Sequence, residues 1–134
     1  MNGKSSNAFN LVVLVVEDAS IIRILLVEVL KEAGFEVIEA KNGDVAMTLI
    51  AAQPNIAAVV MDLAMPGSVD GLELAHWMCT FAPSITIIIT TGRDELPDLA
   101  EINPAIIGVL KKPYPVQKVI DLLLATGKLQ INRG

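Results

Sequence analysis

The sequence predicts an α/β fold: a five-stranded parallel sheet with helices on both faces. Three observations carry this. Short, continuous runs of β-branched and other apolar residues recur along the chain. Helix-length segments separate them, and glycine or proline closes most of those segments. Alternation of this kind implies right-handed crossovers, which lay helices over both faces of one sheet.

The elements follow in order. Leu11–Val16 is apolar throughout, as suits a strand buried on both faces. Ser20–Ala33 is the first helix, closed by Gly34. Phe35–Ala40 ("FEVIEA") alternates and suits a strand nearer the sheet edge. Gly43–Ala52, closed by Pro54, is the second helix, and Ile56–Met61 the third strand. Gly71–Phe81, closed by Pro83, precedes the fourth strand, Ile85–Thr90. Asp94–Ile102 is the fourth helix, Ile106–Leu110 a fifth strand also expected to be buried on both faces, and Val116–Ala125 a last helix closed by Gly127. One domain over residues 11–127 is expected, after a polar, flexible segment 1–10 and before a short tail, 128–134.

Composition narrows the function classes. A chain of 134 residues can bury a real core without disulfides or a structural metal. Its hydrophobic fraction is 53% and its mean hydropathy +0.58, yet the apolar runs are too short to span a bilayer, so no membrane insertion is expected. No basic, then apolar, then small-residue pattern opens the chain, which favours the cytoplasm. The single cysteine, Cys79, excludes an internal disulfide framework, and the single histidine, His76, argues against zinc. A net charge of −5, with no basic cluster beyond Lys111–Lys112, argues against direct nucleic-acid binding and for protein partners.

In open sheets of this type, ligands sit outside the carboxyl ends of the strands. The residues there are Glu17 and Asp18, Asp62, Thr91 and Gly92, and Lys111 and Lys112. Asp62, in "VVMDLAMPG", follows a run that should be a buried strand, so its charge requires a cation, a hydrogen-bond cage or a place at the strand's mouth. Two carboxylates in Coulomb range repel by about 1 kcal/mol in water and about 4 at an intermediate dielectric, so three together call for a divalent cation. Mg²⁺ fits best, because it takes few carboxylates and leaves Asp62 partly free to act as a nucleophile. Lys112 would present a point charge to phosphoryl oxygens and the Thr91 hydroxyl a neutral donor. Together these residues describe a phosphoryl-transfer site.

The segments "VVEDA", "MDLAMPGSVDGLELA", "ITTG" and "LKKPY", in this order and at these spacings, resemble the receiver domain of two-component response regulators over Leu11–Ala125. The resemblance implies a (βα)5 flavodoxin-like fold with strand order 2-1-3-4-5. By position it makes Asp62 the phosphoacceptor, and Glu17, Asp18, Asp62 and the Ala64 carbonyl the Mg²⁺ ligands. Thr91 becomes the switch hydroxyl and Lys112 the family's lysine, with a cis peptide before Pro113. It further implies transfer from a histidine kinase or histidine phosphotransfer protein and slow self-catalysed dephosphorylation, without enzymatic turnover. The face of the fourth helix, fifth strand and fifth helix would meet a downstream protein. A single-domain regulator acting by protein contact is the expected form. A receiver cut from a hybrid histidine kinase and an unphosphorylated scaffold are the alternatives, and a metal-dependent phosphohydrolase is a third.

Two departures from the family pattern stand out. Val109 occupies a position where many receivers carry a switching aromatic, and Ala64 and Arg93 flank the path of the hydrolytic water. Arg93 is therefore expected to set the phosphoryl lifetime. The first helix is apolar almost all round; with Glu28 and Glu32 facing water, Ile21 and Leu25 should be exposed, with Ile22 beside them, as a docking site for the phosphodonor. His76 is expected on a solvated face, Trp77 at the core edge beside Leu74, Met78 and Phe81, and Cys79 as a small buried hydrophobe.

Overall fold

The computed structural model describes residues 11–129. Its elements are β1 (Val12–Val16), α1 (Ser20–Glu32), β2 (Glu36–Ala40), α2 (Gly43–Ala52), β3 (Ile56–Asp62), α3 (Gly71–Phe81), β4 (Thr86–Thr91), α4 (Leu99–Ile102), β5 (Ile106–Lys111) and α5 (Val116–Ala125). The strands form one parallel sheet in the order β2-β1-β3-β4-β5, as the resemblance implied. The expected segment 1–10 and most of the expected tail lie outside the described residues.

Every residue of β1, β3 and β4 is buried, because helices cover both faces. Alternate side chains divide the interior into two layers. Leu14, Val16, Val59, Met61, Ile87 and Ile89 pack toward α2, α3 and α4. Val13, Val15, Ala58, Val60 and Ile88 pack toward α1 and α5. Asn42 caps α2 by accepting from Val45 N at 2.8 Å, and Asp70 with Glu73 forms a capping box at the start of α3. Gly34, at φ 106°, ends the turn after α1 in a conformation that side chains disfavour.

Three expectations need correction. β5 is not buried on both faces. It is an edge strand whose Gly108 and Leu110 face α5, while Ile107 and Val109 are 44% and 41% exposed on the other side. The cause is the second correction: of the expected helix Asp94–Ile102, only Leu99–Ile102 is helical. Pro97 biases Leu96 away from helical backbone, so the helix starts after it and one turn is too short to cover β5. Third, Cys79 is half-buried rather than buried, and Phe81 is 67% exposed, its ring 5.3 Å from that of Trp77 at the margin of the core. His76 is exposed, as expected.

On α1 the expectation holds. Ile21 is 73% and Leu25 60% exposed, Ile22 is exposed beside them, and so are Glu28 and Glu32. Only Leu26, Val27 and Leu30 are buried on that helix. No helix among the described residues is long and apolar enough to cross a membrane.

Candidate functional site

Sheet register builds the site. Val16 pairs with Met61, Asp62 with Thr90, and Thr91 with Lys111, so the carboxyl ends of β1, β3, β4 and β5 finish level. The residues that follow are thereby delivered to one mouth. Glu17, Asp18 and Asp62 each offer a carboxylate oxygen within 4.8 Å of the others, the first and last buried and Asp18 exposed. Lys112 arrives from the far side of Asp62. Its Nζ donates to Asp62 Oδ2 at 2.8 Å and to Glu17 Oε1 at 3.2 Å. The Lys112–Pro113 peptide is cis.

Each carboxylate has further support. Asp62 Oδ1 accepts from Ala64 N at 3.2 Å, and Glu17 Oε2 accepts from Ala19 N at 3.1 Å. Burial pushes the Glu17 carboxyl up, and the neighbouring Asp62 charge adds to this; the Ala19 amide and the Lys112 ammonium oppose it without cancelling it. For Lys112, burial favours the neutral amine, but the hydrogen bonds and charges of Asp62 and Glu17 outweigh it and hold the pKa above the ordinary lysine value. Lys112 is therefore a cation at neutral pH. Three clustered oxygen donors, one of them open to solvent, suit a hard divalent ion that keeps several waters.

Thr91 is buried at the end of β4, and its Oγ accepts from Arg93 N at 3.0 Å. This leaves the hydroxyl proton free to donate elsewhere. Arg93 is exposed, and beside it Asp94 pairs with Lys111.

Two supporting residues escape a reading of the sequence. Gly71 sits where an added Cβ would lie 2.5 Å from Asp62 O and 2.6 Å from Leu63 Cα, so only glycine lets α3 approach the end of β3 this closely. Its amide also donates to Leu63 O at 3.0 Å. The motif's Asp-Gly pair was the available signal. The second is Tyr114, half-buried beside the charges of Lys112, Glu17 and Asp62 and close to Thr90, whose side chain donates to Met61 O at 3.5 Å on the strand that carries Asp62. Burial is the main reason that the Tyr114 pKa is raised. Tyr114 also lines an apolar cavity of about 490 Å³ with Ile22, Leu25, Leu26, Pro113 and Val116, and Lys112 stands in its wall.

Comparison with known proteins agrees with this geometry. A family model described as the response regulator receiver domain matches residues 13–124. The sporulation initiation phosphotransferase F of Bacillus subtilis is 32% identical over 113 residues, covering 81% of this chain and 87% of that protein. A cyclic di-GMP phosphodiesterase of Thermotoga maritima is 35% identical over 62% of this chain, which there spans only 22% of the longer protein. Among solved structures, the response regulator TrrA of Thermotoga maritima, in complex with Mg²⁺-BeF, superposes with a TM-score of 0.75 at 26% identity, covering 86% of this chain and 97% of that one. A receiver domain from Clostridium thermocellum shows the same fold, with a TM-score of 0.77 at 23% identity over 88% of this chain and 97% of that one. The matched span holds every strand end that contributes to the acidic cluster and its lysine, and on that ground the chain belongs to the response regulator receiver domain family of two-component systems.

Proposed function

We propose that the domain accepts a phosphoryl group on Asp62 from a phosphohistidine of a histidine kinase or histidine phosphotransfer protein, and that the modified domain signals by protein contact in the cytoplasm. One observation carries this reading: Asp62 lies within an acidic cluster yet has one oxygen on the Lys112 ammonium and the other on the Ala64 amide. A carboxylate so held is oriented as a nucleophile rather than merely solvated.

In the transfer, an Asp62 oxygen attacks phosphorus, the N–P bond of the donor breaks, and its electron pair returns to the imidazole, which takes up a proton. The product is an acyl phosphate. Mg²⁺, held by Glu17, Asp18, Asp62 and the Ala64 carbonyl, would supply charge neutralisation for the carboxylate and the incoming group. Lys112, with three N–H donors, can follow one phosphoryl oxygen while keeping Glu17. The Thr91 hydroxyl donates to another. Water then cleaves the O–P bond, which releases inorganic phosphate and restores Asp62. The domain modifies itself, so it is not a turnover enzyme.

Exposed Ile22 and Leu25 line the apolar cavity next to Lys112, and Ile21 is exposed on the same helix, which supports docking of the donor there. The exposed Ile107 and Val109 strip supports the α4–β5–α5 face as the output surface. Because Val109 points outward and is not aromatic, switching rests on Thr91. Incubation with phosphoramidate or acetyl phosphate tests the reading. A persistent covalent adduct supports it; continuous release of phosphate from small esters without an adduct would mark a hydrolase instead.

A further inference from the structure

Helix α1 starts without a side-chain cap, because its N-cap residue is Ala19. The turn before it, Glu17–Asp18–Ala19, nevertheless has to present two of the three clustered carboxylates. Three hydrogen bonds fix that turn. Glu17 N donates to Ala40 O at 3.1 Å, Ala19 N donates to Glu17 Oε2 at 3.1 Å, and Arg23 Nη1 donates to the Glu17 backbone oxygen at 2.8 Å. Arg23 is itself anchored, since its Nε donates to Glu39 Oε1 on β2 at 2.9 Å. Its side chain is only 16% exposed. The guanidinium therefore braces the turn between its own helix and the edge strand.

The bond from Ala19 falls on the carboxylate that a cation would draw upon, whereas the bond from Arg23 falls on a main-chain oxygen. We propose that Arg23 is a positioning residue for the cation site, holding the Glu17 carbonyl so that the Glu17 and Asp18 side chains converge on Asp62. The inference rests on the reading of this cluster as a divalent-cation site. Its sign separates it from simple electrostatics. A guanidinium bonded to the main chain of the turn that carries two of the carboxylates repels an incoming cation, so charge alone predicts tighter binding when Arg23 is removed. Positioning predicts weaker binding, as is typical when partners that orient metal ligands are lost.

The test is an NMR amide-shift titration of the full chain with MgCl₂, comparing wild type with Arg23→Ala, Arg23→Lys and Asp18→Asn. Arg23→Ala should weaken Mg²⁺ binding about tenfold or more. Arg23→Lys keeps the charge but not the fork that reaches both Glu17 and Glu39, so it should weaken binding by a smaller factor. Should Arg23→Ala fail to fold, Arg23→Lys decides alone. Affinity equal to or tighter than wild type in the folded Arg23 variants, with Asp18→Asn weakened, overturns the proposal. A brace that serves stability only would lower the melting temperature and leave affinity unchanged. If Asp18→Asn also binds Mg²⁺ like wild type, the cation-site reading fails and takes this proposal with it.

Discussion

The Lys112 ammonium lies 2.8 Å from Asp62 Oδ2, across 50 positions of sequence. The pairing of Asp62 with Thr90 and of Thr91 with Lys111 produces this proximity, so the site is a consequence of sheet register. Lys112 is the cation already present in the cluster, and a metal ion must share the carboxylates with it. Lys112→Met should therefore tighten Mg²⁺ binding. It should also slow labelling of Asp62 by acetyl phosphate by about a hundredfold, since an oriented donor to the phosphoryl oxygens is lost. Calorimetric titration and timed mass spectrometry check the two halves; unchanged labelling would remove Lys112 from the chemistry.

Tyr114 is the sole tyrosine, so its ionisation can be followed by ultraviolet absorbance. With its pKa raised mainly by burial, it should ionise at higher pH than free tyrosine. In the corresponding pH window the folded state holds the proton that the unfolded state has lost. The stability from this group is thus complete below the unfolded pKa, near 10, and is lost as pH rises through the folded value. Lys112→Met should push the midpoint higher still, because the Lys112 charge acts to lower it. A midpoint at or below that of free tyrosine would contradict the burial of the hydroxyl.

Gly71→Ala should destabilise the domain by about 1–3 kcal/mol, because the new methyl meets the main chain of Asp62 and Leu63 rather than a movable side chain. Relief requires α3 to withdraw from the end of β3, so Asp62 labelling should slow as well. Urea denaturation measures the first effect. A neutral or stabilising result, as an ordinary helical glycine would give, would refute the close approach.

Leu25→Glu should slow transfer from the cognate histidine protein at least tenfold while leaving acetyl phosphate labelling unchanged. Leu25 is exposed, so stability should stay within about 0.5 kcal/mol of wild type. Equal slowing with both donors would show that α1 acts on the chemistry and not on docking.

Much of this was legible in the sequence, for physical reasons. Runs such as Ile56–Met61 are buried on both faces only in a covered parallel sheet, and ligand sites in such sheets gather at strand ends, which brought Glu17, Asp18, Asp62, Thr91 and Lys112 into view. The excess of apolar residues on α1 likewise pointed to the exposed Ile21 and Leu25. β5 misled because an apolar run is the same whether one or both faces are covered. The deciding fact lay elsewhere, at Pro97, which shortens α4. Cys79 and Phe81 lie outside the stripe of α3 that is buried, Leu74, Ala75 and Met78, and their apolar character does not show on which side of its margin they fall. Arg23 and Tyr114 gave no signal, because their neighbours at the site, a main-chain oxygen for Arg23 and the charged cluster for Tyr114, are brought to them only by the fold. The Asp-Gly pair hinted at Gly71 without showing how closely α3 approaches β3.

Asp62 should receive the phosphoryl group, and only with the help of a divalent cation. Intact-mass spectrometry after incubation with acetyl phosphate tests it most directly, on wild type and Asp62→Asn, each with Mg²⁺ and with EDTA. Wild type in Mg²⁺ should carry a single phosphoryl adduct, and the other three samples none. An adduct that persists in Asp62→Asn, or equal labelling of wild type in chelator, would contradict it.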